Sequence, residues 1–235
     1  MEVAALLPAG AEAVAVLARQ AAQGYRVFKW KIGIRSVSEE GEIFENLLTR
    51  LPRGGRLRLD ANGGLDARGF RLWAMRMSEQ DVGDLVIEFL EQPFPARRPL
   101  SSWRNSTQQS PVPVALDEGV AGFTALRRVH AARWSGPLVV KPSLLGELEN
   151  FVRWRARVQA DLVYSSAFET SIGLHAALWL AATDPGPTRR ALGFGTLDAF
   201  ADDGLQWPIH APGPRITFTQ PSMEEFSALW NRLPH

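Results

Sequence analysis

The sequence predicts an eight-stranded parallel β/α barrel, and three observations lead to this fold class. Eight short apolar runs recur along the 235 residues, and their starts lie 24 to 30 residues apart. The intervals carry apolar residues at helical spacing, as at Leu148, Phe151 and Val152. Proline and glycine precede several runs, where a helix ends and the chain turns back. Strands that alternate with helices at this spacing indicate a parallel sheet, and eight strands with seven helices match the count of a barrel.

Each apolar run is a predicted strand, and each of the seven intervals is a predicted helix. In chain order the runs are Val3–Leu7, Val27–Lys31, Leu57–Asp60, Val86–Glu91, Val114–Asp117, Leu138–Lys141, Leu162–Ser165 and Ala191–Phe194. We therefore expect a (β/α)7β barrel domain at residues 1–200 and a C-terminal tail at residues 201–235. The alternative architecture, a doubly wound open sheet, usually has fewer strands and binds at a glycine-rich first turn. The first turn here, Pro8–Ala11, is not a dinucleotide-binding fingerprint.

Composition and charge exclude several classes of function. The 26 Lys and Arg residues nearly balance 25 Asp and Glu, so the net charge of +1 offers no electrostatic basis for binding nucleic acid. The absence of cysteine excludes disulfides and cysteine-ligated zinc. No charge-free run reaches the roughly 18 apolar residues of a membrane span. The alanine-rich segment Met1–Ala22 has acidic residues and a proline instead of a basic signal-peptide start. We expect a cytoplasmic protein without nucleic-acid or membrane contacts.

Two lysines end the second predicted strand. In a barrel of this kind the functional residues lie at the C-terminal ends of the strands. Lys29 and Lys31 are two positions apart, so on a strand they face the same side. Neighbouring ammonium groups oppose each other's charge, which lowers the pKa and can make one of them a base near neutral pH. Lys141 ends the sixth predicted strand, opposite this pair.

The three consecutive strands between these lysines each end with a carboxylate, namely Asp60, Glu91 and Asp117. The ends of neighbouring strands lie about 5 Å apart, so the three carboxylates would repel one another unless a cation bound them. Oxygen ligands with room for a substrate suit Mg²⁺. No histidines cluster nearby, and His130 and His175 are expected in helices, so zinc is disfavoured.

This order of lysine, carboxylate and lysine suits proton removal next to a substrate carboxylate. The enediolate that forms is unstable in water, and a metal ion together with a flanking lysine stabilises it. A second amine on the other side can deliver or accept a proton. The predicted ligand is therefore a small-molecule carboxylate.

The strand ends resemble those of the enolase superfamily and, within it, of the o-succinylbenzoate synthase family. The motifs that carry the resemblance are Lys29–Gly33, Leu57–Asn62, Phe89–Pro93, Leu116–Glu118, Val140–Ser143 and Ser165–Gly173. The resemblance extends from about residue 3 to residue 200. It implies a carbon–oxygen lyase that dehydrates 2-succinyl-6-hydroxy-2,4-cyclohexadiene-1-carboxylate to o-succinylbenzoate, on the route to menaquinone or phylloquinone.

The resemblance also implies a role for each site residue. The three carboxylates would bind Mg²⁺, with Mn²⁺ as an alternative ion. Lys31 would remove the α-proton and then protonate the departing hydroxyl, and Lys29 would tune Lys31. Lys141 would stabilise the enediolate from the opposite face. Ser165 and the backbone around Gly193 would bind the succinyl tail.

Two other functions remain open from the sequence. The same site could racemise N-acylamino acids or epimerise dipeptides, with Lys31 and Lys141 as paired bases. The chain could also be a non-catalytic barrel fragment, because family members carry an N-terminal capping domain and this chain opens at barrel strand 1. In the family, the C-terminal tail returns to that capping domain, so we expect the tail here to lack a full set of partners.

Overall fold

Strands and helices alternate along the part of the chain that the computed structural model describes, which is residues 1–79, 86–186, 190–196, 209–210, 213–219 and 222–232. The first seven strands are β1 (Ala5–Leu7), β2 (Val27–Lys31), β3 (Arg56–Asp60), β4 (Ile87–Glu91), β5 (Val114–Ala115), β6 (Leu138–Val140) and β7 (Leu162–Tyr164). The seven helices among them are α1 (Glu12–Ala22), α2 (Val37–Arg50), α3 (Ala67–Glu79), α4 (Leu100–Thr107), α5 (Phe123–Ala131), α6 (Leu148–Arg155) and α7 (Ser171–Thr183).

The strands form a closed parallel barrel, which confirms the predicted fold. Strands β1 to β5 pair in chain order, and β6 pairs with β7, all in parallel. A parallel bridge between Leu116 and Leu138 joins β5 to β6. The eighth predicted strand contributes only two bridged residues, Leu192 and Gly193. They pair with Val3 and Ser165, respectively, and so close the barrel between β7 and β1.

Side chains alternate between the barrel interior and the surrounding helices, as the period of a strand requires. Phe89, Ala115, Val139 and Val163, from four successive strands, form one interior cluster. The outward-facing residues pack on the helices. Trp30 of β2, for example, makes an edge contact with Trp73 of α3 at a ring-centroid distance of 6.3 Å. The helices therefore cover the barrel with an apolar layer, and the interior is a second, narrower core.

A buried ion network, which we call the barrel-floor network, spans the lower interior. Arg58 Nε donates to Glu88 Oε2 at 2.7 Å, and Arg190 Nη1 donates to Glu88 Oε1 at 2.6 Å. Arg190 also pairs with Asp161, which lies just before β7, and donates to both oxygens of the Asp161 carboxylate. The Arg58 guanidinium lies 4.9 Å from the centroid of the Phe89 ring. The network ties β3, β4, β7 and the start of the eighth barrel segment together.

The predicted tail at residues 201–235 is described only in part, and residues 197–208 lie outside the described residues. Strands β8 (Ile209–His210) and β9 (Thr217–Phe218) pair antiparallel, and helix α8 (Met223–Trp230) follows. Ile216 is fully buried, and its backbone exchanges two hydrogen bonds with Met1. This part of the tail therefore contacts the barrel itself. The domain boundary and the return to a capping domain stay predictions.

None of the helices among the described residues is both long and apolar enough to cross a membrane.

Candidate active site at the barrel mouth

The strand register aligns the polar strand ends at one rim. Lys31 is the Cα partner of Asp60, and Asp60 is the partner of Glu91. Glu91 in turn pairs with Ala115, two residues before Asp117. Because residues two positions apart face the same side of a strand, Asp117 continues the interior row that contains Ala115. The structure therefore places the predicted carboxylates side by side at the C-terminal mouth of the barrel.

Lys29 bridges two of the three carboxylates. Its Nζ lies 2.9 Å from Asp60 Oδ2 and 2.8 Å from Glu91 Oε1. Burial by itself lowers the pKa of Lys29, but the charges of Glu91 and Asp60 and the hydrogen bonds to them raise it above its ordinary value. Lys29 is therefore a fixed cation in the folded protein and unsuited to act as a base.

Lys141 pairs with the third carboxylate. Its Nζ donates to Asp117 Oδ2 at 2.7 Å. Lys29 thus contacts Asp60 and Glu91 while Lys141 contacts Asp117, and we call these three acidic side chains the carboxylate row. Both lysines are only partly buried, whereas Asp60, Glu91 and Asp117 are buried.

The row carries more negative than positive charge. Three carboxylates contact two ammonium groups. The pKa of Glu91 is raised to about 8, chiefly by burial and also by the charges of Asp60 and Asp117, although the Lys29 ammonium opposes the rise. Burial is therefore the main reason that Glu91 resists ionisation, and a divalent cation beside it would favour its carboxylate form.

As they stand, however, the carboxylates are arranged around ammonium groups. Among the described residues, no three His, Cys, Asp or Glu side chains lie close enough together to hold a metal ion. Lys29 bridges Asp60 and Glu91 instead, and Lys141 contacts one oxygen of Asp117. The donor set still fits a hard cation, since it consists of buried carboxylates with surplus negative charge. Their assignment as metal ligands stays a prediction.

Lys31 is the free amine of the site. It is exposed at the end of β2, and within the described part of the chain its ammonium group forms neither an ion pair nor a hydrogen bond. The loop that follows is held by Glu40 of α2, whose buried carboxylate accepts the backbone N–H groups of Gly33, Ile34 and Arg35 at 2.8 to 3.0 Å. Lys31 thus stands on a well-anchored strand end with its amine free.

Ser165 and Gly193 are neighbours at the mouth, at the ends of β7 and of the eighth barrel segment. They form a parallel bridge, and Ser165 Oγ donates to the Gly193 carbonyl at 3.1 Å. Ser165 lies two residues beyond the interior residue Val163. Both residues therefore face the mouth, although their role in substrate binding stays a prediction.

Sequence reasoning missed Gln92, which follows Glu91 at the end of β4. Its side-chain Oε1 accepts from the N–H groups of Asp117 and Gly119, and its Nε2 donates to the Phe94 carbonyl. Gln92 is fully buried. Only its place beside a strand-end carboxylate could have drawn attention to it, because partners 25 and 27 residues away are not visible in the sequence.

The two histidines that the sequence places in helices, His130 and His175, contact other elements. His175 is buried in α7, and its Nε2 is 2.7 Å from the Thr219 carbonyl. His130 packs edge-on against Trp154. Neither contact involves a mouth residue.

Comparisons with known proteins point to one group of enzymes. A family model described as Enolase C-terminal domain-like matches residues 12–218. An o-succinylbenzoate synthase of Thermosynechococcus vestitus is 33% identical over 198 residues, which make up 82% of this chain and 59% of that protein. The same enzyme of Thermobifida fusca is 31% identical over 213 residues, which make up 87% of this chain and 64% of that protein. The chain therefore spans about three fifths of the length of these curated relatives.

Solved structures share the fold. The o-succinylbenzoate synthase of Thermosynechococcus elongatus BP-1, with magnesium in its active site, aligns with a TM-score of 0.80 and 30% identity. The alignment covers 99% of this chain and 67% of that one. The L-Ala-D/L-Glu epimerase of Bacillus subtilis aligns with a TM-score of 0.75 and 21% identity over 93% of this chain and 61% of that one. At that identity the second similarity shows the fold alone.

Proposed function

Because the chain belongs to the enolase C-terminal domain-like family, we propose that it supplies the catalytic barrel of an o-succinylbenzoate synthase. The observation that supports this most is the carboxylate row at the mouth, where three buried carboxylates contact Lys29 and Lys141 while Lys31 has no ion-pair partner among the described residues. The reaction would be the dehydration of 2-succinyl-6-hydroxy-2,4-cyclohexadiene-1-carboxylate to the aromatic o-succinylbenzoate.

Magnesium is the proposed cofactor, held by Asp60, Glu91 and Asp117. When bound, it would supply positive charge beside the substrate carboxylate, where negative charge develops as the α-proton leaves. Binding requires these carboxylates to release part of their present contacts with Lys29 and Lys141. Both amines would then remain near the row as additional fixed positive charges.

Lys31 is the proposed base and acid. Its neutral amine would take the α-proton of the substrate and then, as an ammonium group, donate a proton to the departing hydroxyl, which leaves as water. Both transfers involve the same nitrogen and the same substrate face, so one flexible amine is sufficient. An amine that pairs with no described carboxylate suits this role, because a carboxylate partner would favour its charged form.

The other groups would bind and orient the substrate. Lys141, at the far end of the row, would remain a cation and stabilise the negative charge that develops on the substrate. Ser165 and the backbone around Gly193 would bind the succinyl carboxylate, with the Ser165 hydroxyl turned from the Gly193 carbonyl toward the substrate. These contacts would place the ring between Lys31 and Lys141.

A racemase or dipeptide epimerase is the second candidate, since the same two lysines could exchange protons on opposite faces of an α-carbon. The experiment gives the protein the two substrates in parallel, with Mg²⁺, both alone and fused to a capping domain from a related synthase. Formation of the aromatic product is followed by its ultraviolet absorbance. Solvent deuterium exchange into an N-succinyl amino acid is followed by mass spectrometry.

We expect efficient dehydration and slower exchange. Efficient exchange with only trace dehydration would reject the synthase and favour the racemase. If neither form of the protein converted either substrate, the barrel would be non-catalytic.

A further inference from the structure

We infer that Gln92 is the positioning residue of the carboxylate row, setting the relative places of the three predicted metal ligands. The inference rests on the proposed function, because it concerns the magnesium site. Gln92 touches neither the substrate nor the metal in this account; it acts through the loops that carry Asp60, Glu91 and Asp117.

The side chain of Gln92 fixes the backbone that carries Asp117. Its Oε1 accepts the Asp117 N–H at 3.0 Å and the Gly119 N–H at 3.1 Å. At Asp117 the chain leaves the β5 ladder for a 3-10 turn at Glu118–Val120, with φ −115° and ψ −81°. The Asp117 N–H therefore has no acceptor on a neighbouring strand. In this buried loop its hydrogen bond is accepted by Gln92 Oε1 instead.

The main chain of Gln92 connects the other two ligands. Its N–H donates to the Ala115 carbonyl at 2.9 Å, which is the last backbone hydrogen bond between β4 and β5. Its carbonyl accepts the Gly63 N–H at 2.6 Å, in the loop that follows Asp60. Gln92 itself has a left-handed φ of 41°, which turns the chain away from the strand directly after Glu91. One residue therefore contacts all three ligand-bearing loops.

The amide is fixed in one orientation and adds no charge. Its Nε2 donates to the Phe94 carbonyl at 2.8 Å, so Oε1 must face the two N–H groups. A glutamate here could accept the same two N–H groups with one carboxylate oxygen. Its other oxygen would then face the Phe94 carbonyl oxygen, with no hydrogen to donate to it. It would also add a fourth carboxylate to a row that already has surplus negative charge. A neutral glutamine meets both requirements.

The test is the affinity for Mg²⁺, measured by calorimetry on the full chain well below its melting temperature. Gln92→Met keeps the length of the side chain and removes its hydrogen bonds. We expect the Kd for Mg²⁺ to rise about tenfold to a hundredfold, as when groups that orient metal ligands are removed. A residue that only stabilised the fold would lower the melting temperature and leave this Kd unchanged.

Gln20→Met is the matched control. Gln20 lies in α1, away from the mouth, and its Oε1 is buried without a hydrogen bond among the described residues. We expect this variant to bind Mg²⁺ as the parent does. If the parent binds Mg²⁺ and Gln92→Met binds within about twofold of it, the inference is wrong although the magnesium site stands. If the parent takes up no Mg²⁺, the proposed site fails, and the inference with it.

The parent protein provides a measurement that does not depend on whether a variant folds. Amide hydrogen exchange of Asp117 and Gly119 should be slow before any metal is added, because Gln92 already binds both N–H groups. The amide of Gly54, in an exposed turn, donates to no described group and should exchange fast. Exchange of Asp117 and Gly119 as fast as that of Gly54 in the metal-free protein would overturn the inference.

Discussion

Gly193 illustrates how the absence of one side chain shapes the mouth. A Cβ atom at this position would lie 2.4 Å from Ser165 Oγ and 2.9 Å from Ser165 Cβ. Both distances are too short for contacts between non-bonded atoms, so only glycine lets the eighth barrel segment approach β7 this closely. The close approach is what places the Ser165 hydroxyl against the Gly193 carbonyl.

Gly193→Ala should therefore weaken binding of the substrate tail. The added methyl group displaces Ser165, and we expect KM to rise about tenfold with a smaller change in kcat, because the lysines stay in place. Steady-state kinetics of the dehydration measure both constants. Gly54→Ala is the control, since a Cβ atom there meets nothing within 4 Å and the strain at its left-handed φ of 71° would lower stability without touching the mouth. An unchanged KM in Gly193→Ala would remove Ser165 and Gly193 from the binding site.

At the level of elements, strand β4 departs from regular pairing. Its register shifts against β3 between Leu57 and Arg58, so that Leu57 pairs with Ile87 and Arg58 pairs with Phe89. Glu88 is the extra residue of this bulge. The bulge lets both Glu88 and Phe89 contact the Arg58 guanidinium. The barrel-floor network therefore depends on an irregularity in one strand.

Glu88→Gln should destabilise the barrel in a pH-dependent way. Burial raises the pKa of Glu88, but Arg58 and Arg190 outweigh burial and hold the pKa below its ordinary value of 4.5. The carboxylate therefore adds stability above that value and loses it as the pH falls through its lower pKa in the folded protein. We expect a loss of about 3 kcal/mol at neutral pH, since the buried Arg58 guanidinium and the partly buried Arg190 guanidinium lose their anion.

Thermal melts of the parent and the variant between pH 3 and pH 8 measure this effect. The difference in melting temperature should be largest at neutral pH and shrink toward the acid end of the range. Glu45→Gln is the control, because Glu45 pairs with Arg76 on the surface and should change stability by less than about 1 kcal/mol. A difference for Glu88→Gln that stays constant across this pH range would contradict the account of the network.

The positions of the site residues could be predicted because they depend on strand periodicity. Glu91, Asp117, Lys141 and Ser165 each follow an interior residue by two positions, namely Phe89, Ala115, Val139 and Val163. A strand that presents an apolar residue inward therefore presents the strand-end polar residue inward as well. The strand ends themselves were less predictable. The fifth predicted strand extends to Asp117, whereas β5 ends at Ala115, because the Gln92 side chain binds the Asp117 N–H.

For the complete barrel, the number of strands was predictable and its long-range contacts were not. Eight apolar runs at even spacing indicate eight strands, and the parallel bridges at Leu192 and Gly193 close the ring that this count requires. The barrel-floor network joins residues far apart in sequence. Arg190 and Glu88 are separated by 102 positions, and neither lies in a motif. Such pairs follow from the three-dimensional arrangement and leave no local pattern.

The ammonium contacts of the carboxylate row were also not predicted. Sequence reasoning expected the three carboxylates to face a metal ion, with Lys29 acting on Lys31. In the structure, Lys29 itself bridges Asp60 and Glu91, because it lies on the inner face of β2, two residues before Lys31 at the strand end. This arrangement leaves Lys31 as the amine of the site that has no ion-pair partner among the described residues.

The most direct measurement compares the dehydration rates of two lysine variants with that of the parent, in the presence of Mg²⁺ and with the capping domain fused. Lys31→Arg should abolish turnover, because an arginine does not give up its proton at working pH. Lys141→Arg retains the charge and should leave dehydration slower by roughly 10²- to 10³-fold, owing to misplaced electrostatic stabilisation. Appearance of the aromatic product reports the rate. If Lys31→Arg dehydrated the substrate as fast as Lys141→Arg or faster, Lys31 would not be the base and the proposed mechanism would be wrong.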